Sequence, residues 1–267
     1  MTERGSERSD ANATYVFAVC WNPEPAVFHG LSGVADEAPV RILPLEKLTA
    51  IVQTVKADDF TDEAWQERLS DRRELERYAR AHHDVVTAAA ASCPTVPVPM
   101  ATVYHGEQRA SDALGRESDR FRAALERIAH HAEWGVKVYA PPSPVDDSFR
   151  SAPPSGGLRP APGAGLAYLA RKRSAQERRE RSRHEVQQAA ENVDSEVRLL
   201  AAASRRLRPH EPQLSGERRS QILNATYLIA EHRTEELAEL TRSLSRRTGL
   251  HIDLSGPWVP YSFVGEV

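Results

Sequence analysis

Seven prolines stand between residues 141 and 162, in the segments PPSPVDDSF and PPSGGLRPAPG. Each proline fixes φ and lacks a backbone donor, so no helix and no central strand can run through this stretch. With little apolar content around them, residues 141–162 read as a linker or an exposed loop. The chain must therefore bury its apolar residues on either side of that interruption. Its 267 residues are enough for two ordinary domains.

On the N-terminal side, residues 1–13 form a polar leader expected to be disordered, without the apolar core of a secretory signal. TYVFAVC (14–20) has the β-branched and aromatic content of a buried strand. VRILPL (40–45) and LTAIVQTV (48–55) read as two more, with Pro44 favouring an edge. Asp71 with Glu74 three residues on makes a capping box. The helix it opens carries Leu75, Tyr78, Ala79, His82, Val85, Val86 and Ala89 at helical spacing. TVPVPMATVY (95–104) alternates, and Pro97 and Pro99 suit an edge strand. One helix is predicted from about Ser111, with Leu114, Phe121, Leu125 and Ile128 on its buried face, and the strand EWGVKVYA (133–140) closes this half. Strands in uneven alternation with helices indicate an α+β fold.

On the C-terminal side a long helix is predicted from GLAYLARKR to about Leu207. Its later part has an apolar stripe (Val186, Ala189, Val193, Val197, Leu200, Ala203, Leu207), and its first half is nearly all charge. A strand (QILNATYLIA, 221–230), a helix with Leu237, Leu240 and Leu244, and a last strand LHIDL (250–254) follow. The domains expected are thus 14–140 and 163–255, with a tail at 256–267. In that tail, LSGPWVPYSFV, Pro257 and Pro260 preset the backbone. Gly256 can adopt an unusual φ, and Trp258, Tyr261 and Phe263 are expected to anchor the tail, on the protein itself or on a partner.

Few residues assemble into chemistry. RKRSAQERRERSR (171–183) has seven basic residues against two acids. It reads either as a solvated helix with pairs such as Glu177–Arg181, or as a surface for phosphates or an acidic partner. Adjacent histidines in His82–His83 and His130–His131 cannot share an ion if helical, and no zinc spacing occurs. GLSGVA (30–35) falls one residue short of a nucleophile elbow, and GAG (163–165) is no phosphate-binding loop. Cys20 and Cys93 make no disulfide framework, and no apolar run reaches the length of a membrane span. No catalytic residue, cofactor or metal is expected.

Several segments, in order, resemble the GvpF/GvpL family of gas vesicle proteins across residues 14 to 264. They are the strand YVFAVC, the helix with HHDVV leading into TVPVPMATVY, EWGVKVYA, GAGLAYLARKR, LNATYLIA and the terminal GPWVPYSFV. The chain departs from that family where Pro99, Met100 and Ala101 replace a common Arg-Phe-Gly, and where Val259 replaces a proline of the terminal signature. The resemblance implies a ferredoxin-like N-terminal sandwich followed by an α+β domain with a long charged helix. It also implies a non-catalytic adaptor of gas vesicle nucleation and assembly, located at the gas vesicle in the cytoplasm. Such a protein contacts the small hydrophobic shell protein and other accessory proteins, with no membrane, nucleic acid or small-molecule substrate. On that reading Arg171, Arg173, Arg178 and Arg181 are the candidate partner-binding residues, and Gly256, Pro257, Trp258, Pro260, Tyr261 and Phe263 a structural signature. The alternative is a nucleic-acid-binding regulator using the basic helix 171–183.

Overall fold

A computed structural model describes residues 12–36, 38–141, 164–209 and 220–265. Nearly all of the polar leader and the proline-rich stretch lie outside the described residues. The chain is α+β, built as two compact units: residues up to Glu133 with the tail from Pro257, and Trp134–Gly256.

In the first unit, β1 (Asn12–Cys20) is the central strand, beginning two residues before the expected start. It pairs antiparallel with β3 (Thr49–Lys56), which pairs in turn with β2 (Arg41–Pro44). The Leu45 N–H donates to the Leu48 carbonyl at 2.9 Å and closes the β2–β3 turn. On its other side β1 meets β4 (Thr95–Pro97) and β5 (Val103–Tyr104). The single edge strand expected over 95–104 is thus two short ones, broken where Ala101 takes φ +63°. A register shift in β1 between Val16 and Ala18 matches that break, and the Val16 N–H donates to the Thr102 carbonyl at 3.0 Å.

Ala101 occupies a left-handed position that costs a residue with a Cβ about 1 kcal/mol. This gives a physical reason for glycine there in the resembling family. Ala101→Gly relieves that strain while freeing the unfolded backbone by about 0.5–1 kcal/mol, so the urea midpoint is expected to hold level or rise, and a fall equivalent to about 0.5–1 kcal/mol would contradict the strain.

Helices bury both faces of this sheet. A short α1 (Asp62–Ser70), not expected from the sequence, leads into α2 (Arg72–Ala90). Asp71 caps α2 through the Arg73 and Glu74 N–H groups, as the capping box predicts. Tyr78, Val85, Val86 and Ala89 pack against Tyr15, Phe17 and Ile51 on one face. The helix expected from Ser111 is two helices, α3 (Glu107–Arg116) and α4 (Ser118–Ile128), parted at Glu117 with φ −100° and ψ 10°. Leu114, Phe121, Leu125 and Ile128 cover Val16, Val19 and Val52 on the other face. The Gly30–Gly33 loop is held by the fully buried Gln53. Its Oε1 accepts the Val34 N–H at 2.8 Å, and its Nε2 donates to the Ser32 and Ala38 carbonyls at 2.8 and 2.6 Å.

The second sheet has the order β7–β8–β6–β9, with β6 at His131–Tyr139, β7 at Ala203–Arg206, β8 at Gln221–Ala230 and β9 at His251–Trp258. The strand expected to close the first half therefore belongs to this sheet, and the division between units falls at 133/134 rather than within 141–162. Its neighbours decide this, since among the described residues β6 pairs with β8 and β9 and with no strand of the first sheet. At Gly135 an added Cβ would lie 2.7 Å from Ser255 Oγ on β9, so a larger residue there would have to turn that hydroxyl aside. The long helix, α5 (Ala164–Arg198), ends nine residues before the expected Leu207. Its Ala190, Val193 and Val197 are buried, as are Leu237 and Leu244 of α6 (Thr234–Thr248).

Candidate interaction surfaces

α5 changes character along its length. From Gln176 to Glu185 every residue is exposed, so no face of that stretch is buried against the described residues, and Ala190 begins the buried stripe. Arg173, Arg178 and Arg181 are exposed within or beside the solvated part. At about 100° per residue, Arg178 and Arg181 share a side of the helix with position 171, seven residues before 178. Arg173 falls roughly 140° round from Arg178, so the backbone does not present all four arginines to one flat partner. Gln176 Nε2 donates to Glu180 Oε1 at 2.7 Å, as expected of a helix that supports itself through neighbouring turns.

The C-terminal tail is a strap over the first unit. Gly256, with φ +137°, lies in the left-handed half of backbone space that glycine tolerates, but β9 continues through it to Trp258 instead of ending there. Pro257 is exposed and Pro260 is buried. The anchors differ from the expected set. Trp258 is 50% exposed and Tyr261 39%, whereas Phe263 and Val264 are buried. Val264 joins the core of Val16, Leu114 and Phe121, and Val259 packs on the opposite core. Two side chains clamp the strap. Glu133 accepts the Ser262 N–H at 2.8 Å and its hydroxyl at 2.5 Å, and the Arg127 guanidinium donates to the Phe263 carbonyl. Glu133 stands in the EWGVKV landmark, the one sequence signal that could have marked it.

Beside the strap lies a largely apolar groove of about 550 Å3, lined among others by Pro97, Met100, Phe121, Tyr261 and Val264. His82 and His83 both border it and diverge, as adjacent helical residues must. His83 stacks on Tyr261 with ring centroids 6.3 Å apart, while His82 is buried. The Tyr15 hydroxyl accepts the Ala101 N–H at 3.3 Å and shares a hydrogen bond with His82 Nδ1 at 2.9 Å. Burial, with some repulsion from His83, lowers the His82 pKa to about 4. Among the described residues its Nε2 has no well-formed hydrogen bond, and the nearby Val98 backbone only partly opposes the depression.

A histidine depressed from about 6.5 to about 4 gives the neutral form its full stability above pH 6.5. That contribution is lost as pH falls from 6.5 towards 4, reaching about 3 kcal/mol when both states are protonated. His82→Asn keeps a hydrogen-bonding partner for Tyr15, so its unfolding free energy should vary less across that window than the wild type's. Identical pH slopes in paired denaturation series would rule the effect out.

The other histidine pair also has local explanations. His130 takes φ +60° in the turn after α4, and His131 Nδ1 contacts the Ala129 carbonyl at 2.7 Å. Among the described residues, no three His, Cys, Asp or Glu side chains converge as metal ligands. No helix there is long and apolar enough to cross a membrane.

The family model described as gas vesicle synthesis protein GvpL/GvpF matches residues 13–265. Gas vesicle protein L of a Streptomyces species is 34% identical over 252 residues, which cover 94% of this chain and 92% of that protein. Gas vesicle protein L1 of Halobacterium salinarum is 25% identical, covering 100% and 95%. Among solved structures, gas vesicle protein GvpF from an Anabaena species superimposes with a TM-score of 0.64 at 16% identity, over 96% of this chain and 97% of that one. GvpF from Microcystis aeruginosa gives 0.61 at 16%, over 95% and 99%.

Proposed function

Because the chain belongs to the GvpL/GvpF gas vesicle protein family, we propose that it is a non-catalytic adaptor of gas vesicle assembly. It holds the small hydrophobic shell protein and brings it to other accessory proteins during nucleation. The observation that carries the adaptor role is the stretch of α5 from Gln176 to Glu185, which is exposed all round. A helical stretch exposed on every side draws little stability from tertiary packing and gains most from a partner. Arg178 and Arg181 supply specificity and association rate there, more than raw affinity. Arg171 lies on the same side, and Arg173 serves a second contact round the helix.

The strap supports a second contact surface, since Trp258 and Tyr261 expose the aromatic area that partner binding favours. The same kinship supports reading the first unit as a ferredoxin-like sandwich with an added helical layer. Both sequence relatives are named protein L, which favours an L-type role.

Co-purification of the full chain with the shell protein and with each accessory protein tests the proposal. Reversing Arg178 and Arg181 to glutamate is expected to lose at least one accessory protein while leaving the protein folded. If every interaction survives, the helix is not the adaptor surface. If the wild type retains no gas vesicle protein but binds DNA with steep salt dependence, the regulator reading replaces it.

A further inference from the structure

The outer edge of the second sheet is a surface that the adaptor reading leaves unused. β9 ends the order β7–β8–β6–β9, and among the described residues no strand pairs with its outer side. Beside it a groove of about 460 Å3 opens between β9 and α6. Ile252 and Leu254 line it from the strand, two residues apart and so on one face. Ala238, Thr241 and Ser245 line it from the helix, at the spacing of a single helical face. The two hydroxyls are turned back into the protein, Thr241 onto the Leu237 carbonyl at 3.0 Å and Ser245 onto the Leu250 carbonyl at 2.8 Å. The groove therefore offers methyl and methylene groups to an occupant.

Its charged members are Arg242 and Arg246. Both are exposed and one helical turn apart. Arg247, by contrast, is engaged by Glu196, and Arg233 by Glu236. Among the described residues neither Arg242 nor Arg246 has an ion pair. An edge strand, an apolar trough taking alternate side chains and a cationic rim are together the elements of recognition by strand addition.

We propose that β9 and α6 form a docking groove for an extended strand of a partner protein. That strand carries aliphatic side chains at alternate positions and a carboxylate that meets Arg242 and Arg246. A second copy of this chain fits less well. Its β9 would bring Ile252 and Leu254, but its acid, Asp253, projects from the opposite face and cannot answer the arginines. The proposal stands independently of the adaptor reading, because it rests on the groove's own chemistry.

The test uses the full chain, isotopically labelled, titrated with the blocked heptapeptide acetyl-ETVTVTE-amide, whose acids share a face with its valines, and its lysine counterpart acetyl-KTVTVTK-amide. The glutamate peptide is expected to shift amide resonances of residues 251–256 and of α6 between 238 and 246. The lysine peptide should bind at least about tenfold more weakly, the loss of a charge-assisted contact. Arg242→Glu/Arg246→Glu should reverse that preference, and Arg242→Gln/Arg246→Gln should abolish it. Both pairs sit on the surface, and an unchanged circular dichroism spectrum verifies that they fold. No binding, shifts elsewhere, or equal binding of the two peptides overturns the proposal. So does a concentration-dependent dimer of the peptide-free chain that shifts the same amides, which would make a second copy the occupant.

Discussion

A chain lacking residues 259–267 is expected to lose about 5 kcal/mol of stability in its first unit, enough to unfold a marginal domain at physiological temperature. The strap buries Phe263 and Val264 and packs Val259 against the core, and each such side chain contributes roughly 1.5–3 kcal/mol. Truncation also strips Glu133, a buried carboxylate, of both Ser262 donors. Single substitutions divide the strap by role. Val264→Ala should cost about 2 kcal/mol in a urea melt, and Trp258→Ala less than about 1, because Trp258 is half exposed. A truncated chain that melts with the full-length protein would remove the strap from the fold and assign it wholly to partner binding.

The division of labour in the strap shows what a sequence can and cannot report. Rigidity was legible, because Pro257 and Pro260 restrict the backbone wherever they stand. Which side chains face inward was not, since aromatic size alone does not tell an anchor from an exposed contact. Val259 and Val264 do much of the burial, and neither stands out among three aromatics. The same reason explains the other differences. Asp71 announced a helix start, because capping is chemistry between near neighbours. The end of α5 had no such mark. Val197, Leu200 and Ala203 keep helical spacing across a boundary without glycine or proline, and the strand ASRR carries no alternation. β6 read correctly as a strand, but its sheet is set by its neighbours β8 and β9, about a hundred residues away in the chain.

Asp194 is a polar residue whose removal should cost the second unit heavily, and nothing in the sequence sets it apart from the other charges of α5. It is 2% exposed. One carboxylate oxygen accepts the Tyr227 hydroxyl at 2.5 Å, and the other accepts Arg206 Nη2 at 2.6 Å and Nε at 3.1 Å. Arg206 also reaches Glu191, so the network ties α5 to β7 and β8 just where the helix becomes buried. Burial and the adjoining carboxylate push the Tyr227 hydroxyl pKa well up, so it stays protonated and donates. Asp194→Ala leaves that hydroxyl without an acceptor inside the core and takes one of two carboxylates from the half-exposed Arg206, a loss of about 3 kcal/mol. Tyr227→Phe should cost only about 1 kcal/mol. The double variant should fall short of the sum by about 1 kcal/mol, since the two groups answer each other. Urea unfolding followed by far-UV circular dichroism measures all three. A loss below about 1 kcal/mol for Asp194→Ala would mean that water replaces the carboxylate and that apolar packing alone fixes α5 on the sheet. At the predicted size, the solvated half of α5 also depends on this anchor. Asp194→Ala should then accelerate proteolysis after Arg178 and Arg181, although neither arginine touches the network.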